Sequence, residues 1–296
     1  MNMKKIVLSG LIVLGTSAVV LTKTVNPTKA SVSFEPANKI AVTVTPNIEF
    51  VNDAFRYSYK VDSQSSSLQN VWVFGVEYLG NINNNNIPSL NNPIPSPVKN
   101  IISPNGWDGI DQFWQSNLLG WAAVGDPVQD LGSDSFNIKP NSSQEGFKFD
   151  NLGLPHISKY YAQGYTDIPV MDEDASEADL KELEDKADFM NNNVSGYTVG
   201  AGVDPTTLTA LQIITTLIAE KSQAVTSGWL NQAVISTLDG ELNGAMVAIS
   251  SGQNELAETL LNNFITTLNT QKGQSVSLNA YNLLKPTAQY LIEKKI

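Results

Sequence analysis

The chain has no cysteine and only one histidine, His156, in 296 residues. The missing cysteines exclude disulfides, lipid attachment at a thiol, cysteine nucleophiles and cysteine-bearing zinc cages. One histidine excludes a two-histidine metal site. A Ser–His–Asp arrangement would have to use His156, but no serine sits in a nucleophile-elbow sequence. His156 follows Pro155 where a strand pattern begins, an ordinary structural position. Glycine-rich phosphate loops and dinucleotide fingerprints are also missing. Basic residues are scarce, 18 Lys and Arg against 29 Asp and Glu, for a net charge of -11. Nucleic acid and anionic lipid would be repelled by such a surface.

A long hydrophobic span is absent too. Ile6–Leu21 is apolar but interrupted by Gly and Ser, and falls short of the about 20 residues that cross a bilayer. It follows Lys4 and Lys5 and precedes the small-residue site Thr28-Lys29-Ala30. That order reads as a cleaved secretory signal over residues 1–30. The four lysines of this segment leave with it, so the mature chain from about Ser31 carries 14 basic and 29 acidic residues, a charge of -15. The closing LIEKKI has no hydrophobic tail. A secreted protein with no stable membrane insertion after signal removal is therefore expected.

Hydrophobic content of 42% is enough for a core, and the mature length suggests about two domains. Residues 31–166 read as β structure. Ile40, Val42 and Val44 alternate, as do Phe55, Tyr57, Tyr59 and Val61, with Arg56, Ser58 and Lys60 on the opposite face. NVWVFGVEYLG is apolar on both faces, as a central strand would be. LLGWAAVG, SFNIKP, EGFKFDN and HISKYYAQGY are further strand candidates. Short strands between Gly, Pro, Asn and Asp clusters predict an antiparallel β-sandwich of immunoglobulin or fibronectin kind. Residues 80–106 interrupt it with Asn and with Pro88, Pro93, Pro95, Pro97 and Pro104, which reads as a long surface loop.

Residues 167–203 form an acidic helix and linker. DIPVMDEDASEADLKELEDKADFM holds ten acids and two lysines, and Ser176 with Asp179 makes a capping box. NNNVSGYTVGAGVDP then reads as a loop. From Asp204 the period becomes helical, with Pro205 at a first helical position. Stripes beginning at Leu208, Ala233, Leu256 and Leu278 follow one another, the first three closed by Gly228, Gly252 and Gly273. A left-handed glycine stops a helix, and such short connections force antiparallel neighbours. Residues 204–296 are thus expected to be a four-helix antiparallel bundle, with a seam at about 167–207 between two separately folding units. Gly240 and Gly244 inside the second helix imply a closely packed neighbour.

The features SGWLNQAVISTLDGELNGAM, ISSGQNELAETLLNNFITTLNTQKGQSVSLNA and AQYLI, spread over about residues 208–293, resemble the FIMAH domain. That module closes secreted and surface proteins and is named for a Phe-Ile-Met-Ala-His stretch. Phe264 and Ile265 match it, but Thr266, Thr267 and Leu268 stand where Met, Ala and His would be. No role tied to that histidine carries over. The front half, IKPNSSQEGFKFDNLGLPHISKYYAQ above all, looks like the β-sandwich ectodomains of bacterial surface proteins. The resemblance implies a binding role at the cell surface, not catalysis.

Two sets of residues remain as candidate sites. Trp107, Trp114 and Trp121 cluster around GWDGIDQFW and would stack on a sugar if exposed; buried, they are core. Asp108 and Asp111 would serve a glycoside hydrolase only if they faced each other across a cleft about 5 to 9.5 Å apart. Asp172, Asp174 and Ser176 begin like a calcium loop, but Glu177 replaces its turn glycine and Leu183 its bidentate glutamate. The expectation is a non-enzymatic adhesion or matrix protein, with a carbohydrate-binding module as its rival and a glycoside hydrolase as a remote third. Its partners would be surface or matrix proteins or polysaccharide. No cofactor is expected beyond calcium held loosely by the acidic stretch.

Overall fold

A computed structural model of the chain describes residues 36–78, 98–114, 117–124, 135–166, 181 and 191–296. The signal segment, the bulk of the Asn/Pro-rich stretch and nearly all of the acidic stretch lie outside the described residues.

Among the described residues, nine antiparallel strands form two sheets, followed by four α-helices. The strands are β1 (Val42–Val51), β2 (Ala54–Ser63), β3 (Val71–Glu77), β4 (Lys99–Ile102), β5 (Trp107–Ile110), β6 (Leu118–Ala123), β7 (Ser142–Asn151), β8 (Pro155–Gly164) and β9 (Val194–Ala201). One sheet has the order β1-β2-β7-β4 and the other β5-β6-β3-β8-β9. The alternation of β2 is realised residue by residue: Phe55, Tyr57, Tyr59 and Val61 are buried, while Arg56, Ser58 and Lys60 face outward. β1 and β2 join through Asn52 and Asp53, both at positive φ (52° and 62°), the geometry of a two-residue hairpin turn.

Aromatic rings fill the space between the sheets. Tyr57 stacks on Phe149 at 4.9 Å and Phe74 on Trp121 at 5.6 Å. The Tyr59 hydroxyl crosses the core to donate to the Val199 carbonyl, and Tyr57 donates to the Gly153 carbonyl. Burial pushes both phenols far above the ordinary tyrosine range, so they serve as neutral ties.

Three strands depart from the sequence reading. Residues 99–102 lie inside the stretch read as surface loop, yet they form edge strand β4 on β7. An edge position tolerates the prolines on either side, because only one flank must donate to a ladder. WDGI, not among the strand candidates, is edge strand β5. Residues 194–201, read as linker, are β9, paired with β8 over eight residues. Its glycines lowered its β signal, but Gly196 lies against the Tyr160 ring and Gly200 against Ser158 and the Glu77 carbonyl, where a side chain would clash.

The helices are α1 (Ala210–Thr226), α2 (Gln232–Ser250), α3 (Asn254–Gln271) and α4 (Leu278–Lys295). Gly228, Gly252 and Gly273 end the first three at φ of 72°, 72° and 77°. Asp204 and Pro205 open only a short 3-10 turn, and α1 has its own capping box of Thr209 and Gln212. Each helix packs on its chain neighbour, and α4 closes back on α1. Leu256 and Leu278, which open two of the expected apolar stripes, are exposed. Each sits in the first turn of its helix. Gly244 does meet a neighbour, with Leu260 Cδ1 at 3.1 Å from where a Cβ would stand, but Gly240 has nothing within 4 Å.

Sheets and helices share one contiguous core, which runs from Val44 and Tyr59 to Phe264 and Leu291. Helix α4 lies along edge strand β1. Asn282 Oδ1 accepts the Ile48 N–H at 3.0 Å, and its Nδ2 donates to the Pro46 and Leu278 carbonyls, both at 2.9 Å. Further along, Tyr290 packs on Phe50 and Phe55, and Lys294 meets Asp53 at 2.7 Å. From Asn282 to Tyr290 a helix rises about 12 Å. From Asn47 to Phe50 a strand rises about 10 Å. Helix and strand therefore stay in step. The Asn282 carboxamide presents one acceptor and one donor to the strand, as a neighbouring strand would, and so closes an edge that would otherwise invite pairing. The expected seam between two independent units is thus crossed by buried contacts, because α4 has an apolar face for the helices and another for the sheet.

Candidate functional site

With the β1 edge covered, attention falls on the opposite margin. There β4 ends one sheet and β5 the other, and among the described residues no strand pairs their outer edges. Ile102, Ile110, Trp114 and Val124, all at this margin, are exposed.

The three candidate tryptophans separate here. Trp121 is fully buried, stacked on Phe74, and its indole N–H donates to the Ile102 carbonyl at 3.2 Å. Trp107 is 6% exposed, set edge-on to Phe147, with its N–H on the Phe136 carbonyl at 3.0 Å. Both belong to the core, because inward positions of β5 and β6 face the other sheet. Trp114 alone is exposed, at 38%. A three-tryptophan binding groove is therefore not formed.

Asp108 points outward from β5 and is exposed. Asp111 turns back into the molecule, where Oδ1 accepts the Tyr78 hydroxyl at 2.6 Å and the Gln112 N–H at 2.8 Å. Burial first, and then this hydrogen bond, pushes the Tyr78 hydroxyl well above the ordinary tyrosine range. Asp111 thus organises its own loop.

His156 sits on β8 at the join with the helices. Its Nδ1 is 2.6 Å from Glu220 Oε1 of α1, and Glu220 Oε2 is 3.4 Å from the Ile157 N–H. The two side chains are 12% and 6% exposed. Ser158, two residues further along β8, is buried, and its hydroxyl makes no hydrogen bond. A nucleophile must be engaged by its base and reachable by substrate, and Ser158 is neither. The pair instead links β8 to α1. Next to it, Lys221 is ion-paired with Asp239, which links α1 to α2. Sequence reasoning missed Glu220 as a structural residue. The signal was its spacing: with Ile213, Ile214, Leu217, Lys221 and Ala224, it lies on the buried stripe of α1.

Asp172, Asp174 and Ser176 lie outside the described residues. Among the described residues, no group of three or more carboxylates or histidines is placed to hold a metal. No helix among them is long and apolar enough to cross a membrane.

The segment carrying the Phe-Ile-Met-Ala-His resemblance lies in α3. Phe264 and Leu268 are fully buried and Thr266 is exposed. Thr267 donates to Glu241 Oε1 of α2 at 2.8 Å. Leu268, where the name-giving histidine would be, fills the core of the helical unit. No curated protein matches the chain. A family model, the FIMAH domain, matches residues 214–293, from α1 into α4. The match covers the four helices and not the sheets, and this chain is therefore a FIMAH-domain-containing protein with a β-sandwich ahead of that domain.

Proposed function

We propose that this is a secreted protein of the cell surface or extracellular matrix that acts by binding, as an adhesion or scaffold component, and not by catalysis. The observation that carries this reading is the union of a FIMAH domain with a β-sandwich through buried contacts. The helices close one margin of the sandwich, and the opposite margin carries exposed apolar residues. A rigid scaffold with loops at one open margin suits recognition.

The candidate acid and base groups support the same reading. Asp111 is held within its loop and His156 is held by Glu220. Export rests on residues 1–30, and the partners that fit are surface or matrix proteins or polysaccharide. The net charge of -15 on the mature chain disfavours nucleic acid. Calcium on the acidic stretch is proposed as a loose ligand, with no other cofactor.

Fractionation of the producing culture tests the proposal. The protein should begin near Ser31 and associate with washed cells or matrix. Retention of Met1, or recovery wholly inside cells, would overturn it.

A further inference from the structure

We propose that Trp114 is the stacking platform of a glycan subsite on the open margin, selective for neutral or amino-sugar polymers over polyuronic acids. This proposal rests on the binding reading above and names its ligand class.

The residues that follow β5, 111–114, are shaped to present this ring. Gln112 and Trp114 both have positive φ, 58° and 64°. Left-handed geometry is uncommon for residues other than glycine, and bulky ones adopt it only where the surroundings enforce it. The two reversals surround Phe113, whose N–H donates to the Leu118 carbonyl at 2.8 Å. The Phe113 ring lies directly over Gly120; a Cβ there would stand 2.2 Å from it. Phe113 thus packs on the outer-face cluster of Val73, Leu118 and Tyr161. Trp114 sits edge-on to it, ring centroids 5.3 Å apart at 77°. A ring supported in this way loses little freedom when a ligand stacks on it.

The surrounding polarity selects the ligand. A pyranose needs an apolar platform for its C–H face and acceptors for its hydroxyls. Ile110 pairs with Gly120 and Asp108 with Ala122, so Asp108 and Ile110 share the outer face with Phe113. Asp108 is exposed on that face. Carboxylates accept from sugar hydroxyls and from amino-sugar ammonium groups. They repel uronates, as does the net charge of -15 on the mature chain.

The test is affinity electrophoresis of the mature chain through gels holding a neutral β-glucan, glycol chitosan or alginate. Trp114→Ala and Trp114→Leu are compared with Tyr197→Ala, an exposed aromatic on β9, and thermal melts verify folding. Retardation by the glucan or the chitosan is expected. Both Trp114 variants should weaken it about tenfold, as loss of one stacked ring implies, while Tyr197→Ala leaves it unchanged. Trp114→Leu retains an apolar cover on Phe113, so it reports binding even if the alanine variant unfolds. Undiminished retardation of the Trp114 variants, preference for alginate, or no retardation by any gel would each overturn the proposal. In the last case, association with washed cells would leave the broader binding reading standing.

Discussion

Replacing Asn282 with leucine should destabilise the whole protein, not only its helices. The two side chains share the same branched heavy-atom skeleton, so the loss of the polar contacts dominates the effect. The carboxamide satisfies the Ile48 N–H and the Pro46 carbonyl, both buried at the join of α4 and β1. Each group left without a partner costs about 1 to 3 kcal/mol. Their sum, about 2 to 6 kcal/mol, is a large share of a typical total of about 5 to 15 kcal/mol. The Leu278 carbonyl also loses a bond, but it lies within the helix and adds little. Urea unfolding followed by tryptophan fluorescence and by far-ultraviolet circular dichroism measures the loss. The two signals should shift together, because Trp107 and Trp121 report the sandwich while helix dominates the dichroism. A loss below about 0.5 kcal/mol, at the level of an innocuous surface change, would refute the edge-closing role. So would a shift of the helical signal alone.

Other consequences are equally specific. Gly240→Ala should stabilise by about 0.5 to 1 kcal/mol, because the position is exposed and open to a Cβ; thermal denaturation measures it. Glu241 and Asp150 should give opposite pH slopes. Burial raises the Glu241 carboxyl, against the Thr267 hydrogen bond. The folded state therefore binds its proton more tightly, and its contribution falls as pH rises from about 4.3 through the raised value. Glu241→Gln should remove that slope and gain under about 1 kcal/mol at neutral pH, since the partly exposed group is screened. The Arg56 hydrogen bond lowers the Asp150 carboxyl, against partial burial. Its contribution is present above about pH 4 and lost as pH falls through the lowered value, so Asp150→Asn should flatten the acid limb of the stability curve. Limited proteolysis should cut first within 167–190, and the two fragments should stay associated through the shared core.

How much of this was legible in the sequence depended on whether a residue's role was local. Tyr57, Tyr59 and Val61 alternate, and period two fixes which face they share. Gly228, Gly252 and Gly273 end helices through their own backbone freedom, so they too could be read directly. β9 could not be read this way, because Gly196 and Gly200 make sense only against Tyr160 and Ser158 on the neighbouring strand. Asn282 reads as one polar residue in a helix until β1, more than 230 positions earlier, is placed beside it. The tryptophans show the same limit at the candidate site. Composition grouped Trp107, Trp114 and Trp121, but two of them lie on inward strand positions and one on a loop in left-handed geometry, so only Trp114 faces solvent.

The most direct test of the central claim, that this protein binds and does not catalyse, combines binding and turnover on the same ligands. The mature chain is screened against glycans and intact cell surfaces, and hydrolysis of each bound glycan is assayed in parallel with Asp108→Asn as control. The account predicts saturable binding to at least one surface or glycan, with no hydrolysis above background and no effect of the control on turnover. Hydrolysis that Asp108→Asn abolishes would contradict it.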